Sequence, residues 1–459
     1  MSYLLKKEIP VEDGYDMVVC GGGMGGATAA ITAARLGLKV LIVEHTGCLG
    51  GMGTSGLVCA FDPMADGEKP VVGGLMQEIV KTLYERKKLG PEITPEDYLK
   101  NYLTWIPFDP EALKILLDEL CVKAGVEIRY FTRVIDADAQ DGKVKGVVIN
   151  NVEGTKYIAA KTFVDATGDA VLSKLCGAKY REAGADTEEI MPATLTGLMA
   201  GIDWEQFNKT QYATPCHEQI ERAYNDGVLS QCDRHLVGIF RIGENTGYMN
   251  TGHIFNLNSV NTRSLSDGMI QGRRQLNEYL EFYKRYHKGF DKAQIVATGT
   301  LMGVRESRRI VGEYELTADD YFARRQFPDQ IGVFSKYIDI HPKDTSKESY
   351  KEFCDTMEGS KLKKGECYGI PYGITVPKGF ENLWVSGRCN SSDISMHGAV
   401  RVMPAAAMMG QGVGTAAYLS IKSGKPATKI NTAKLVELLR ENGAILPQQQ
   451  LSETMTKNS

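Results

Sequence analysis

Residues 16–44, DMVVCGGGMGGATAAITAARLGLKVLIVE, decide the fold of this chain. An apolar strand leads into a turn of glycines, an alanine-rich helix follows, and a second apolar strand ends on Glu44. Gly21 permits the tight turn, Gly23 lets the backbone approach a pyrophosphate, and Gly26 lets the helix pack closely on the strand. The helix N-terminus attracts an anion, and Glu44 is placed to accept ribose hydroxyls. The segment therefore predicts a dinucleotide-binding βαβ unit.

The composition narrows the class of protein. The 459 residues suffice for one large core or two moderate ones, so we expect two interleaved domains. The net charge of -4 offers no broad surface for nucleic acid or anionic lipid. The longest apolar candidate for a membrane span, residues 399–421, is interrupted by Arg401, Pro404 and Gln411. The polar N-terminus does not resemble a signal peptide, so we expect no membrane association and a cytoplasmic location.

The ten cysteines are scattered along the chain without any C-x-x-C pair. This pattern predicts reduced thiols and no metal site, neither zinc nor an iron–sulfur cluster. Cys48 and Cys59 flank a glycine-rich loop, and two interpretations stay open for them. They are either small packing residues or a redox-active pair.

The organisation along the chain predicts an α/β fold with two parts. A Rossmann-like domain with a doubly wound parallel sheet is assigned to residues 14–189 and 296–425, interrupted by a helical insertion at about 61–104. Residues 190–295 lose the glycine-rich turns and gain aromatic residues and long helical stretches. We assign them to an inserted α+β substrate domain, and residues 440–459 to a flexible tail.

Local signals place several element ends. Asp109 is a good N-cap for a helix that Gly125 ends, and the pair Asp141 and Gly142 supplies a hairpin turn. In the insertion, an amphipathic helix has one apolar side, formed by Leu75, Ile79 and Leu83. The strand TFVDATG ends at a point where a doubly wound sheet commonly meets its ligand, on Thr167, Gly168 and Asp169.

A second motif far downstream indicates FAD rather than a nicotinamide cofactor. The helical insertion interrupts the domain that begins with the dinucleotide segment. A second motif of small residues follows far downstream, at residues 403–421, MPAAAMMGQGVGTAAYLSI. A nicotinamide dehydrogenase usually completes its Rossmann domain without such an interruption. Met403 and Pro404 suit a helix start, and its N-terminus would stabilise the negative charge that develops on a reduced isoalloxazine ring. The alternative is a tightly packed core helix.

Seven segments in order carry a likeness to known proteins: YDMVVCGGGMGG, LGGMGTSGLV, FVDATGDAVLSKLCGA, LMGVRESRRIVGEYELT, KYIDIHP, YGIPYGITVPKGFENLWVSGRC and AVRVMPAAAMMGQGVGTAA. With them the chain, from about Glu8 to Ser423, resembles the FAD-dependent oxidoreductase family of bacterial flavoproteins. That family is distantly related to the fumarate reductase and succinate dehydrogenase flavoproteins and to heterodisulfide reductase flavin subunits.

The resemblance implies a two-domain flavoprotein and assigns cofactor contacts. The implied contacts are Gly21, Gly23, Gly26 and Glu44 for ADP, Gly50 and Gly51 for the flavin-side loop, Val134 for adenine, Thr167, Gly168 and Asp169 for the pyrophosphate turn, and Gly387 and Arg388 for the ribityl and pyrophosphate groups. His45 and Thr46 only partly match the run that links flavin to histidine in the succinate dehydrogenase relatives, because the spacing to Gly50 is one residue short. We therefore expect noncovalent FAD.

Flavin oxidoreduction needs a hydride transfer and an acid or base for the companion proton. His397 is the first candidate, because it lies in a glycine-flanked loop between the GRC segment and Arg401. The alternative is a structural histidine bonded to a backbone carbonyl. His341, in the family-specific IDIHP segment, is the second candidate. Arg401 directly precedes the helix start and is a further candidate.

The segment GVRESRRI has a high density of charge beside apolar residues. Arg305 and Arg309 would share a face if the segment is helical. Arginine holds carboxylates in a bidentate manner, so Arg305 is a candidate substrate clamp. The alternative is an internal salt-bridge lattice in which Glu306 and Glu313 join the two domains.

We expect an FAD-dependent dehydrogenase or reductase that transfers a hydride between the flavin and a small polar metabolite, with an unidentified electron donor or acceptor. Two alternatives remain: a reductase of activated C=C bonds, and a flavin subunit that relays electrons within a larger redox complex. Substrate identity, direction of reaction and assembly into a homo-oligomer stay open at this level.

Overall fold

The computed structural model describes residues 6–187, 189–207, 217–235 and 237–447. The strands are β1 (Val11–Cys20), β2 (Val40–Val43), β3 (Ala60–Phe61), β4 (Ile106–Pro107), β5 (Glu127–Arg129), β6 (Arg133–Gln140), β7 (Lys143–Asn151), β8 (Gly154–Asp165), β9 (Tyr180–Arg181), β10 (Gly197–Ala200), β11 (Val237–Arg241), β12 (Thr246–Thr251), β13 (Gln294–Thr298), β14 (Arg309–Ile310), β15 (Gln330–Phe334), β16 (Tyr368–Pro371) and β17 (Leu383–Val385). The helices are α1 (Met24–Arg35), α2 (Gly74–Glu85), α3 (Pro95–Leu99), α4 (Pro110–Ala124), α5 (Val171–Leu175), α6 (His217–Asn225), α7 (Thr262–Tyr286), α8 (Ala318–Phe322), α9 (Lys347–Ser360), α10 (Ile394–Val400), α11 (Met403–Ser423) and α12 (Thr432–Glu441).

A seven-stranded sheet forms the centre of the molecule. Its order is β5-β2-β1-β8-β7-β6, and β17 pairs with the last part of β8. Strands β5, β2, β1, β8 and β17 run parallel, whereas β6 and β7 form an antiparallel meander on β8. Helices α1 and α11 cover one face. The predicted α/β fold with a Rossmann-type, doubly wound parallel sheet is confirmed.

Helices α1 and α11 cross at very close range because glycine stands at the crossing. A Cβ atom at Gly410 would lie 2.1 Å from Oγ1 of Thr28 and 2.2 Å from the carbonyl oxygen of Gly25. The hydroxyl of Thr28 donates across the contact to the carbonyl of Ala407, at 3.1 Å. The C-terminal motif therefore packs directly on the helix of the dinucleotide motif.

The local signals read from the sequence are confirmed. The Asp109 carboxylate accepts from the first-turn backbone of α4, and Gly125 ends that helix with φ of 80°. Asp141 and Gly142 adopt φ values of 52° and 78° in the hairpin between β6 and β7. The apolar side of α2 is buried, including Leu75, Ile79 and Leu83.

A second, smaller sheet with the order β11-β12-β10-β13 carries its own core. The buried residues of this core lie between Ala193 and Met302, and α6 and α7 contribute to it. Strand β13 pairs with β10 along Gln294–Thr298, so this sheet extends past the expected boundary at residue 295. The domain boundaries themselves stay a prediction. We call this unit the cap.

Residues 440–447, the first part of the expected tail at 440–459, pack on the rest of the protein. Helix α12 runs to Glu441, Arg440 donates to the carbonyls of Leu446 and Pro447, and Leu446 is buried against the main core. The rest of the expected tail, residues 448–459, lies outside the described residues. Among the helices that are described, none combines the length and the apolar character that a membrane crossing requires.

Candidate functional site

A cavity of about 1290 Å³ lies between the carboxyl ends of the parallel strands and the cap. The segments that follow β1, β2, β8 and β17 form one wall, and Thr194, Phe240 and Tyr248 from the cap form the opposite wall. Pockets for single small ligands usually span roughly 300–1,000 Å³. The cavity is therefore large enough for a dinucleotide together with a small substrate.

The glycine turn has the geometry that the sequence predicts. Gly21 has φ of 102°, and a Cβ there would lie 2.4 Å from the carbonyl oxygen of Ala166. A Cβ at Gly26 would lie 1.9 Å from the carbonyl oxygen of Gly21, which explains the close approach of α1 to β1. Nothing lies within 4 Å of the Cβ position at Gly23, which borders the cavity. These glycines form a cradle that a side chain would fill.

Glu44 lies at the end of β2 and borders the same cavity. Its Oε2 accepts from the backbone N–H of Gly22 at 2.6 Å, and its Oε1 accepts from the backbone N–H and hydroxyl of Thr46. Burial alone would raise the pKa of Glu44, but these donors and His45, whose Nδ1 lies 3.0 Å away, hold the pKa below its usual value. An ionised carboxylate with spare lone pairs is thus held where a ribose would bind.

The turn after β8 is fixed from two sides. Asp165, which is fully buried, accepts from the backbone N–H and hydroxyl of Thr167. Gly168 has φ of 78°, and Nη2 of Arg388 lies 2.7 Å from Oδ1 of Asp169. The GRC segment therefore reaches this turn through an ion pair, as a shared cofactor site requires.

The other cofactor candidates lie at the same cavity. Gly50 pairs with Gly23 in a parallel bridge, so the loop containing Gly51 lies against the glycine turn. Val134, at the start of β6, lines the cavity wall. Gly387 has φ of 92°, and Cβ of Ala406 lies 3.6 Å from the position of a Cβ atom there. Of the twelve cofactor residues expected from the sequence, all except Gly26 line the cavity, and Gly26 packs behind it.

The RESRRI segment is extended rather than helical, so Arg305 and Arg309 do not share a helix face. Residues 304–308 connect a bridge at Gly303 to the short strand β14. Backbone pairing with the cap at one end and with β9 at the other holds the segment straight. The three arginine side chains consequently point to different partners.

Two of these arginines form ion pairs, but with acids other than the Glu306 and Glu313 of the lattice interpretation. Nη2 of Arg309 lies 2.7 Å from Oδ2 of Asp186, and Nε of Arg308 lies 3.4 Å from Oε1 of Glu182. The Glu306 carboxylate accepts from two backbone N–H groups rather than pairing with an arginine. Glu313, the other acid named for the lattice, accepts from the backbone N–H of Gly379.

Arg305 lines the cavity and differs from its neighbours. Its Nη1 donates to the carbonyl of Pro192 and to the hydroxyl of Thr194, and its Nε donates to Nε2 of His341. In the part of the chain that the structure describes, no carboxylate lies within ion-pair distance of this guanidinium. Burial and the positive charge of Arg401 lower the pKa of Arg305 to about 9.

Arg401 borders the cavity beside Arg305. Its Nη2 lies 3.2 Å from both the carbonyl oxygen and Oδ2 of Asp339. Burial lowers the pKa of Arg401, and the Asp339 carboxylate partly opposes that effect. The cavity wall thus carries two neighbouring guanidinium groups, and only one of them has a carboxylate partner.

His397 does not reach the cavity, which argues against acid/base catalysis by this residue. Its side chain is fully buried in α10, and Nε2 lies 2.9 Å from the carbonyl oxygen of Arg305. Burial lowers the pKa of His397 well below its usual value, and Arg309 and Arg401 add to that effect. The structural alternative, a histidine bonded to a backbone carbonyl, describes this placement.

His341 borders the cavity, but both of its ring nitrogens are engaged. Nε2 accepts from Nε of Arg305 at 3.0 Å, and Nδ1 lies 2.8 Å from Nε2 of His253. Nδ1 of His253 in turn lies 2.9 Å from Oδ2 of Asp233, although its N–H is not aligned on that oxygen. His341 therefore positions Arg305 and has no nitrogen left for substrate in this arrangement.

Two rings complete a cluster that sequence reasoning missed. His235 and His253 pack around His341 with centroid distances of 4.7 Å and 5.1 Å. Burial lowers the pKa of His235 to about 3 and also lowers the pKa values of His253 and His341. The three histidines are far apart in the sequence, so no short spacing pattern could have found them.

A buried ion pair on the cavity wall was also missed. Nζ of Lys336 lies 2.5 Å from Oδ2 of Asp62 and 4.1 Å from the ring centroid of Tyr337. Burial alone would lower the pKa of Lys336, but the Asp62 carboxylate raises it above its usual value. The only sequence signal was a charged residue inside each of two otherwise apolar segments.

Cys48 and Cys59 are both free thiols in the structure, so no disulfide joins them. Sγ of Cys48 lies 3.1 Å from the Oγ atom of Ser55. Cys59 is fully buried, and burial raises its pKa well above the usual value. The packing interpretation fits both residues.

Comparison with known proteins adds four findings. A family model described as FAD dependent oxidoreductase matches residues 16–439. The digeranylgeranylglycerophospholipid reductase of Thermoplasma volcanium is 26% identical over 284 residues, which are 61% of this chain and 64% of that relative. The chain thus aligns with less than two thirds of that relative's length.

Two further likenesses are more limited. A dihydrolipoyl dehydrogenase of Trypanosoma brucei brucei is 52% identical over 48 residues, 10% of each chain. The solved structure of a geranylgeranyl bacteriochlorophyll reductase-like protein from Thermoplasma acidophilum superposes with a TM-score of 0.48 at 15% identity, covering 95% of this chain and 85% of that one.

Proposed function

Because this chain belongs to the FAD dependent oxidoreductase family, we propose that it transfers a hydride between bound FAD and a small metabolite that carries a carboxylate, such as a hydroxy acid. FAD is the cofactor of the family, and noncovalent binding remains our expectation. The whole-chain activity, its substrate and its electron partner are part of the proposal.

The residues around the cavity fit FAD. The Gly21–Gly26 cradle and the N-terminus of α1 suit a pyrophosphate, and the Glu44 carboxylate suits the adenosine ribose. Arg388 and Gly387 reach the same wall from the far end of the chain. Met403, in the first turn of α11, lines the cavity, so the positive N-terminal end of this helix borders the site.

The environment of Arg305 is the single observation that carries the substrate class. A buried guanidinium without a carboxylate partner is costly, and an anionic ligand offsets that cost through paired, charge-assisted hydrogen bonds. Arg401 lies close enough to lower the pKa of Arg305 through its charge. Two adjacent cations at one cavity wall favour a carboxylate over a neutral alcohol.

Bound FAD supplies the hydride acceptor or donor. The protein's own contribution is orientation: Arg305 and Arg401 hold the carboxylate, and Thr194 and the Pro192 carbonyl hold Arg305. The aromatic side chains of Phe240 and Tyr248 line the cap side of the cavity and exclude water. Fixing the substrate in this way lowers the entropic part of the barrier.

The test is a screen for anaerobic bleaching of the flavin in purified holoprotein. We expect 2-hydroxy and related acids to reduce the flavin, whereas the matching amides and alcohols do not. The Arg305→Gln variant should keep FAD and lose at least tenfold in kcat/KM, since a charged hydrogen-bonding partner contributes about 1.5–3 kcal/mol.

Arg308→Gln is the matched control. Arg308 belongs to the same segment and is equally buried, but it does not line the cavity. It pairs with Glu182 and donates to the carbonyl of Asp169, so the FAD content of both variants is measured first. An equal loss of kcat/KM in Arg305→Gln and Arg308→Gln would contradict the proposed role of Arg305 as a substrate clamp. Efficient bleaching by neutral alcohols would contradict the substrate class.

Reduction of an activated C=C bond is the second candidate, and the names of the relatives that contain the word reductase favour it. Anaerobic assays with reduced viologen and unsaturated acids would show turnover in that case, with the same dependence on Arg305. A flavin subunit that only relays electrons would show neither activity alone and would copurify with an iron–sulfur partner.

A further inference from the structure

Three histidines from separate segments meet beside the cavity. His235 precedes β11, His253 follows β12, and His341 follows β15. One ring nitrogen from each lies within 4.8 Å of the nitrogens of the other two. We propose that His235, His253 and His341 bind one zinc ion in the wall of the cavity. This proposal does not depend on the identity of the substrate.

The spacing of the rings suits three nitrogen ligands of one ion. Zn–N bonds of about 2.0–2.1 Å in a tetrahedral site place ligand nitrogens about 3.3 Å apart. Nε2 of His253 and Nδ1 of His341 are 2.8 Å apart and share a hydrogen. The ion would take the place of that hydrogen, and the two rings would separate by about half an ångström.

His341 can keep its ring proton when it binds zinc. Once Nδ1 binds the ion, the proton occupies Nε2, which lies 3.6 Å from Oδ1 of Asp339. Nε of Arg305 then loses its acceptor at His341, and the two N–H groups, which would face each other at 3.0 Å, must move apart. Arg305 keeps its two hydrogen bonds from Nη1, to the Pro192 carbonyl and the Thr194 hydroxyl.

Asp233 holds two of the three ligand residues, His235 and His253, in position. Its carboxylate accepts from the backbone N–H groups of His235 and His253, at 3.0 Å and 2.9 Å. Its Oδ2 also lies 2.9 Å from Nδ1 of His253. A carboxylate beside one ring nitrogen favours the tautomer in which the other nitrogen is available to a metal. Asp233 and Asp339 also supply negative charge near a divalent cation.

The fourth position of the ion faces the cavity, because His235 and His341 both line it. Three histidines with one open position are the arrangement of catalytic zinc sites, where water or a substrate oxygen completes the tetrahedron. The ring of Phe353 packs 4.0 Å from the ring of His235 and restrains its orientation. The ligand class at the open position is therefore an oxygen donor from the cavity.

Without a metal, Arg305, His341 and His253 form a hydrogen-bonded chain that ends beside the Asp233 carboxylate, and this chain accounts for two of the three histidines. It leaves His235 without a role. Within the described ranges, no hydrogen-bond partner is found for the ring nitrogens of His235, although this ring lies against the other two. A third ligand is the simplest reason for a histidine at that position.

The test uses FAD-loaded protein, stripped with a chelator and then dialysed against Zn²⁺. We expect one zinc per chain by elemental analysis and a higher melting temperature with Zn²⁺ than with chelator. His235→Gln should lower zinc affinity at least tenfold, and Asp233→Asn should lower it about 10–100-fold. His287→Gln is the matched control, because His287 packs among aromatic rings of the cap and does not line the cavity.

The choice of His235 keeps the test decisive, since this ring borders the cavity and its loss leaves the Asp233–His253–His341 contacts in place. Retained FAD absorbance confirms that the variant is folded. Absence of bound zinc after reloading, or equal zinc affinity in wild type and His235→Gln, would overturn the proposal and leave the hydrogen-bonded chain alone.

Discussion

At the residue scale, the surroundings of each charged side chain decide its role. Arg305, Arg308 and Arg309 belong to one short segment, yet two of them are neutralised by carboxylates and one borders the cavity. Glu44 is buried but stays ionised, because four donors hold its pKa below the usual value. Such environments, rather than residue type, separate binding groups from structural ones.

Glu44→Gln should weaken FAD binding about 10–100-fold, since hydrogen bonds to a charged group contribute about 1.5–3 kcal/mol. The amide also presents one NH₂ group to donors at Gly22 or Thr46, which adds a repulsive contact. Isothermal titration of apoprotein with FAD measures the loss. Glu78→Gln, at an exposed ion pair with Arg35, is the control, and unchanged affinity in Glu44→Gln would contradict the assignment.

His397 should make the protein less stable in acid. Its folded pKa lies well below the unfolded value of about 6.5, so the unfolded chain binds a proton that the native ring does not. Stability is therefore complete above about pH 6.5 and falls below it, by at most about 1.4 kcal/mol per pH unit. Denaturant melts of wild type and His397→Gln at pH 7 and pH 5 test this, and we expect a smaller acid-induced loss in the variant.

At the element scale, the crossing of α1 and α11 joins the two cofactor motifs. Both helices are predictable from the sequence, because Pro404, the alanines and the glycine turn are local signals. The extended RESRRI segment was not predictable, since its partners at Thr194, Glu182 and Asp186 are distant in the chain. The cluster of His235, His253 and His341 was not predictable for the same reason, because these residues come together only in the folded protein.

Gly410→Ala should destabilise the protein by about 1–3 kcal/mol, because the added methyl group overlaps Thr28 and the backbone of α1. Gly359→Ala in α9 is the control, with open space around its Cβ position, and should be neutral or stabilising by about 0.5–1 kcal/mol. The urea concentrations at the unfolding midpoints of the two variants measure these changes in stability. Equal midpoints would show that the helices do not touch so closely.

At the scale of the whole molecule, the cavity lies between the main sheet and the cap. The main sheet contributes the glycine turn and Glu44, whereas the cap contributes Thr194, Phe240 and Tyr248. The residues expected to hold the cofactor could be named from the sequence, because their signals follow element ends, and Arg305, His341 and Arg401 at the same cavity were also named. The cap residues beside them, Thr194, Phe240 and Tyr248, could not be named, because no local motif marks them.

FAD should stabilise the whole chain and not only the domain with the glycine turn. Ligand at a concentration 100 times its Kd adds about 2.7 kcal/mol. We expect a higher melting temperature for holoprotein than for apoprotein, with one transition. FMN is the control ligand, because it lacks the adenosine half that the Gly21–Gly26 turn and Glu44 are expected to hold. Equal stabilisation by FMN would contradict this binding mode.

Strand β17 has a consequence for how the protein is made. It pairs with β8 through Leu383–Val385, more than 200 residues after its neighbour, and Gly387 and Arg388 follow directly. A ribosome must release nearly the whole chain before the central sheet can be finished. Contacts of such long sequence separation also slow folding. The protein can therefore bind its cofactor only after β17 has been synthesised. Fragments that lack β17 should be purified without flavin.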